Sequence, residues 1–195
     1  MEVTSKPKPT LLIVDTHALA HRAFHAFPMD LSTKRGEHTN AIYGFSSLLL
    51  QVLKLFHPDY IICAADSKGP TFRHKLYDQY KANRPETDAQ LVEQLPKISE
   101  LIKTAKIPVI GINGYEADDI IGSLINDPAY KIYDKIVVTG DKDLLQVLRD
   151  DVRVYLAGSS FSKSVLYDHN NVIGKLGFPH ELLVDYKALR GDPSD

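Results

Sequence analysis

Five short apolar, β-branched runs recur along the chain, at Leu11–Val14, Tyr60–Ala65, Ile107–Ile112, Lys135–Thr139 and Val152–Leu156. Each is apolar on successive positions and too short for a helix, so each predicts a strand buried on both faces. Between them the period changes. In Asn40–Phe56, the residues Ile42, Phe45, Leu48, Leu49, Val52, Leu53 and Phe56 recur at steps of three and four, which predicts an amphipathic helix. Leu91–Ala105 repeats the pattern with Leu91, Leu95, Ile98, Leu101 and Ile102. Glu116–Asn126, Lys142–Asp150, His169–Leu176 and His180–Arg190 complete the predicted helices. Alternating strands and helices imply an α/β fold with a mostly parallel sheet covered on both faces.

Two segments break this rhythm. Residues 1–9, with Lys6, Pro7, Lys8 and Pro9, carry no apolar run and predict a disordered lead-in. Ser67–Thr87 is rich in charge and aromatics and poor in aliphatics, which marks a long excursion between a strand and a helix.

The strand ends hold the chemistry. LLIVD ends at Asp15, IICAAD at Asp66, and IVVTGD reaches Asp141 after one glycine. Open parallel sheets bind ligands at the carboxyl ends of their strands. Any one of these aspartates alone reads as the N-cap of the next helix. After the third run come Glu116, Asp118 and Asp119; at 100° per residue Glu116 and Asp119 lie about 60° apart on one helix face. Acids in a first helical turn also complement the helix dipole. Asp143 has the same ordinary reading, and Asp192 and Asp195 read as turn formers beside Pro193. Each ordinary reading holds singly, but together they require nine acids to converge by accident.

Composition sharpens this picture. The 195 residues carry 23 Lys+Arg against 25 Asp+Glu, a net charge of −2, with 44% hydrophobic and 25% charged residues. That is an ordinary globular composition, and a chain this long buries roughly 70% of its unfolded surface. The single cysteine, Cys63, excludes an internal disulfide, which points to a reducing, cytoplasmic setting. The first apolar run is far too short to span a bilayer. Setting the nine acids aside leaves the remainder at +7, an acidic centre within a basic surround. Packed carboxylates repel and call for cations. Hard divalent ions, above all Mg²⁺, suit oxygen ligands, and two of them activate water and stabilise a leaving oxygen in phosphodiester cleavage.

The basic surround has a location. FRHKLYDQYKANR, residues 72–84, holds Arg73, Lys75, Lys81 and Arg84, interleaved with Phe72, Tyr77 and Tyr80. Cations for phosphates and aromatic faces for bases are what single-stranded nucleic-acid binding uses, although a solvated surface helix has the same composition. His17, His21 and His25, spaced by four, offer an alternative transition-metal face. The chain has neither a P-loop nor a dinucleotide fingerprint, and Thr16-His17 after Asp15 argues against a phospho-aspartate phosphatase.

LLIVDTHALAHRAFHAF, TNAIYGFSSLLL, AADSKGPTFRHKLYDQYKANRPETD, GYEADDIIG, VTGDKDLLQVL and DYKALRGDPSD, in that order, closely resemble the 5′ nuclease domain of bacterial DNA polymerase I and stand-alone flap endonucleases. The resemblance covers nearly all of residues 11–195. It implies a PIN-like α/β fold, with the excursion after Asp66 as the base of a helical arch. It also implies a Mg²⁺-dependent 5′-3′ exonuclease and flap endonuclease that releases 5′ flaps and removes RNA primers in replication and repair. Two Mg²⁺ ions, replaceable by Mn²⁺, are implied at Asp15, Asp66, Glu116, Asp118, Asp119, Asp141, Asp143, Asp192 and Asp195. Lys81 and Arg84 match the basic residues that meet the scissile phosphate, and Arg22 another phosphate-facing arginine. With Phe72, Arg73, Lys75 and Tyr80 they make the expected DNA-binding set.

The implied partners are DNA with a 5′ flap or free 5′ end, RNA–DNA hybrids, and a DNA polymerase, fused or separate; the chain is expected to be a monomer. His21 departs from the aromatic residue of many relatives. The chain also stops at Asp195, where relatives continue into helix-hairpin-helix elements, so those elements are expected to be missing. Two other readings stay open on the residues alone: a catalytically silent, structure-selective DNA-binding module, and a PIN-type ribonuclease.

Overall fold

The computed structural model describes residues 7–67 and 69–191. Six strands, β1 (Thr10–Asp15), β2 (Tyr60–Ala64), β3 (Val109–Ile110), β4 (Asp134–Thr139), β5 (Val152–Leu156) and β6 (Val165–Tyr167), form one sheet in the order β3-β2-β1-β4-β5-β6. The first five run parallel and β6 is antiparallel to β5. Around them lie α1 (Thr16–Ala26), α2 (Asn40–Phe56), α3 (Phe72–Leu76), α4 (Ala89–Thr104), α5 (Ala117–Asn126), α6 (Val172–Leu176) and α7 (Leu183–Arg190).

Strand alternation divides the core. Leu12, Val14, Ile136 and Val138 face one way, onto α1, α2 and α4, while Leu11, Ile13 and Val137 face the other, onto α5 and the segments after β4. Because both faces are covered, the central strands are apolar on successive positions, Leu11–Val14 in β1 and Ile136–Val138 in β4. One buried polar contact ties the first layer together. Gln94 of α4 accepts from the Ala41 and Ile42 amides (2.9 and 3.2 Å) and donates to Asn40 (2.9 Å), so α4 caps the start of α2. Cys63 is core packing, its thiol pushed up to about 11 by burial. Among the described residues no helix is long and apolar enough to cross a membrane.

The differences from the sequence expectations are local. β3 shrinks to two residues, flanked by Pro108, which has no N–H, and by Gly111. Lys142–Asp150 is not an α-helix but a 3-10 helix over Lys142–Val147; Asp141 takes the Asp143 amide and tightens the first turn. The helix after β6 starts at Val172 because the Asp168 carboxylate holds the Asn170 and Asn171 amides in a turn. His180–Leu182 forms a separate 3-10 turn before α7, with its ring donating to the Leu148 carbonyl (2.7 Å). Of the lead-in, residues 1–6 lie outside the described residues, and the Pro9 carbonyl accepts from the Asp134 amide (3.0 Å).

Lys135 is fully buried at the start of β4, with its ammonium on Asp151 (2.6 Å) and on the Tyr133 carbonyl (3.2 Å). Burial pushes the Asp151 carboxyl up, but the lysine outweighs it and holds the group below the usual carboxylate range. This contribution is therefore present at neutral pH and is lost as pH falls through the lowered value, below about 3.8. Asp151→Asn strands a buried ammonium, and urea denaturation at pH 7 should show a loss of about 3 kcal/mol.

Candidate active site

Asp15, at the end of the central strand β1, is the innermost acid. It is 5% exposed, and its oxygens accept from the Ala18 amide (3.1 Å), as the cap of α1, and from the Thr139 hydroxyl (2.8 Å). Both donors are neutral. Burial, reinforced by Asp66 and Asp141 against the two hydrogen bonds, raises its pKa from 3.8 to about 7. Thr139 continues the connection: its oxygen accepts from the Asp141 amide (2.9 Å), so the ends of β1 and β4 are linked through one hydroxyl. Asp141 is also raised, first by burial, and Lys187 and Arg84 act in the opposite direction. Gly140 makes this approach possible. A Cβ there would lie 2.8 Å from the Ala18 carbonyl and 3.2 Å from Arg22 Cβ.

Asp66, after β2, accepts from the Ala117 amide (2.7 Å) and so fixes the start of α5. Its own amide donates to His17 Nδ1 (3.2 Å). The Asp66 carboxylate lies 3.7 Å from the same ring nitrogen.

Glu116 and Asp119 are engaged from the strap, residues 67–88, which joins β2 to α4. Glu116 accepts from Lys81 Nζ (2.8 Å) and the Tyr80 hydroxyl (2.9 Å), with Arg73 at 3.5 Å. Asp119 takes both arms of the Arg73 guanidinium (2.6 and 2.7 Å) and accepts from the Glu116 amide (3.0 Å). These bonds outweigh burial and hold Asp119 below the usual carboxylate range. They hold the Arg73 guanidinium more firmly protonated still. Asp118 moves up instead, through burial and its neighbour Asp119. Burial and the Glu116 carboxylate likewise push the Tyr80 phenol up.

Arg22, Lys81, Arg84, Asp141, Asp143 and Lys187 line one open cleft of about 930 Å³. Arg22 donates to the Gly140 carbonyl (3.2 Å), and Lys187 pairs with Asp143. His21 lines the same cleft, its imidazole held below the ordinary range by desolvation and by His25 and His17. Asp118, Asp119 and Arg73 line a second cleft, of about 540 Å³.

Of the sequence-predicted acids, Asp141 and Asp143 thus line one opening and Asp118 and Asp119 the other, while Asp15, Asp66 and Glu116 line neither. Asp192 and Asp195 lie outside the described residues. Among the described residues no group of three or more His, Cys, Asp or Glu side chains already stands as a ligating array, and this includes the histidine column on α1. Arg73, Lys81 and Lys187 hold three of the acids. Sequence reasoning missed Thr139, whose signal is the VTGD motif, and Lys187, which lies in DYKALR.

The match to the family of 5′-3′ exonuclease N-terminal, resolvase-like domains covers residues 10–177. The chain belongs to this 5′-3′ exonuclease family. Its relatives include DNA polymerase I of Chloroflexus aurantiacus, 42% identical over 191 residues, and that of Caldicellulosiruptor bescii, 42% identical over 187. These alignments cover 96% and 95% of this chain but 20% and 22% of those proteins, so the exonuclease chain spans about a fifth of their length. Among solved structures, T5 5′-exonuclease with divalent metal ions (zinc) bound matches with a TM-score of 0.71 at 24% identity, over 95% of this chain and 68% of that one. The catalytic core of Rad2 in complex with DNA substrate matches at 0.56 and 18% identity, over 95% and 55%. At these identities the likeness concerns the fold, and the exonuclease domain is PIN-like.

Between about pH 4 and pH 7 the folded exonuclease domain holds a proton on Asp15 that the unfolded chain has released. Stability in EDTA should therefore fall as pH rises through that window. Asp15→Asn keeps an oxygen for the Ala18 amide and carries no charge. Its unfolding midpoint, followed by circular dichroism, should match the wild type near pH 4. At pH 8 it should lie above the wild type, by an amount equivalent to on the order of 3 kcal/mol.

Proposed function

We propose that this chain hydrolyses phosphodiester bonds in DNA bearing 5′ flaps or free 5′ ends, with divalent metal ions, Mg²⁺ foremost. The observation that carries the reading is the open cleft lined together by Arg22, Lys81, Arg84, Asp141 and Asp143, with the buried Asp15 joined to Asp141 through Thr139. The donor set fits a hard cation. It consists of carboxylate oxygens, and the innermost of them is buried on neutral donors alone with its charge disfavoured. Asp15, Asp66, Glu116, Asp118, Asp119, Asp141 and Asp143, with Asp192 and Asp195, are the proposed metal ligands. When bound, the metal ions supply an activated water and charge neutralisation at the leaving oxygen.

The protein's own residues supply position and charge. Lys81, Arg84 and Arg22 line the cleft at the height of the strand ends, where a phosphate would be drawn by all three cations. Phe72 and Tyr80 are the strap's aromatic residues nearest its cations, and Lys75 is an exposed charge between them in sequence. Lys81 and Arg84 neutralise charge that develops on the phosphate, and no side chain needs to become a covalent nucleophile. Removal of flaps and RNA primers, alongside a DNA polymerase, is the role this chemistry suits.

One observation favours a second reading, a DNA-binding module without turnover: Glu116, Asp119 and Asp143 are all occupied by protein cations. A single assay separates the two. Purified chain with a 5′-flap DNA at low salt should release the flap with Mg²⁺ and not with EDTA. Asp141→Asn and Lys81→Ala should keep the wild-type circular dichroism spectrum yet lose at least about 100-fold in rate. Retained flap binding without any Mg²⁺-dependent release would establish the second reading instead.

A further inference from the structure

Arg73 stands in the strap as one of several cations, and its guanidinium meets both carboxylates and rings of the protein. Its guanidinium makes a two-armed bond to Asp119 at 2.6 and 2.7 Å and lies 3.5 Å from Glu116. Two rings lie against it, Phe72 with its centroid at 4.7 Å and Tyr80 at 6.0 Å. All four partners are protein groups, and two of them, Phe72 and Tyr80, belong to the strap itself. Asp119 in turn accepts the Glu116 amide (3.0 Å), and Glu116 holds Tyr80 and Lys81. The contacts run in a closed circuit: strap to Asp119, Asp119 to Glu116, Glu116 back to the strap eight residues on.

We propose that Arg73 is a positioning residue for the nuclease reaction: through its two-armed bond to Asp119 it braces the strap on the first turn of α5 and so sets where Lys81 meets the scissile phosphate. The inference rests on the nuclease reading above and departs from the expectation that Arg73 itself grips DNA. The fork is essential to it. A lysine carries the same charge but cannot hold two carboxylate oxygens in one plane, and its shorter reach would leave the Phe72 and Tyr80 rings uncovered. α3 is only five residues long and buries no side chain. Its start is tied to the loop before α5 by the Phe72 amide on the Gly114 carbonyl (2.9 Å) and internally by the Thr71–His74 bonds (3.1 and 2.9 Å), and the Arg73 fork is the side-chain tie from α3 to α5 itself.

Two measurements test the brace, one of which needs neither metal nor DNA. In EDTA, trypsin cleavage after Lys75 and Lys81, which are followed by Leu76 and Ala82, is measured by mass spectrometry in wild type, Arg73→Gln, Arg73→Lys, Asp119→Asn and Arg73→Gln/Asp119→Asn. Each single variant should raise the cleavage rate about tenfold, and the double variant no further, because the two residues act as one unit. Unchanged protection in Arg73→Gln, or additive effects, would overturn the brace.

With Mg²⁺ and 5′-flap DNA in single turnover, Arg73→Gln should lower the rate at saturating DNA about tenfold, while flap affinity measured in Ca²⁺ changes by less than about twofold. Arg73→Lys should restore neither the rate nor the protection. A tenfold loss of affinity with an unchanged saturating rate would overturn the proposal and make Arg73 a DNA contact. If the wild-type chain releases no flap, the nuclease reading fails, and the proteolysis series still decides whether Arg73 braces the strap.

Discussion

A carboxylate at the end of the central strand of a parallel sheet has nowhere to go. β1 is flanked by β2 and β4, and Asp15 at its end is buried, with its hydrogen bonds coming from the neutral Ala18 amide and Thr139 hydroxyl. The neighbouring features answer to that group. Thr139 couples it to the Asp141 turn, and Gly140 lets α1 approach closely enough to carry Arg22 to the cleft. A site that keeps its innermost acid half-protonated at neutral pH is one whose ionisation is completed by whatever cation enters.

The outer acids meet a different solution. Glu116, Asp119 and Asp143 lie nearer the surface and are each matched by a cation from a distant segment: Lys81 and Arg73 from the strap, Lys187 from α7. The same carboxylates thus serve two ends. They shape the strap in the folded chain, and in the proposed chemistry they are the groups a divalent ion would engage. Arg73 and Lys81 differ in this respect. A two-armed bond screened by aromatic rings is harder to exchange than a single ammonium contact.

The strand-end aspartates were legible because an apolar run that stops at an acid locates that acid on the carboxyl edge of a parallel sheet. The helix over Asn40–Phe56 was legible to the residue because its apolar period is uninterrupted. α1 was harder to see: three histidines and several alanines dilute the stripe of Leu19, Ala20, Ala23 and Phe24 that it buries. β6, at three residues, is shorter than any period can reveal. The pairing of acids with cations was not legible at all. Arg73 and Asp119 are 46 positions apart, Lys81 and Glu116 35, and Lys187 and Asp143 44; no local pattern links them, and only the folded strap and α7 bring them together.

Lys81 adopts a left-handed backbone conformation, with φ of +59°, although it is neither glycine nor asparagine. That geometry costs on the order of 1 kcal/mol for a side chain with a Cβ. The Glu116 contact and the Tyr80 ring, 5.1 Å from the ammonium, offset it. The turn is therefore shaped from outside, by what its amine holds, and not by the preference of its own backbone. Glycine at this position would relax the turn and lose the amine together. The amine's partners and the backbone's conformation are thus linked: whatever takes Lys81 from Glu116 also removes part of what offsets the left-handed turn beneath it.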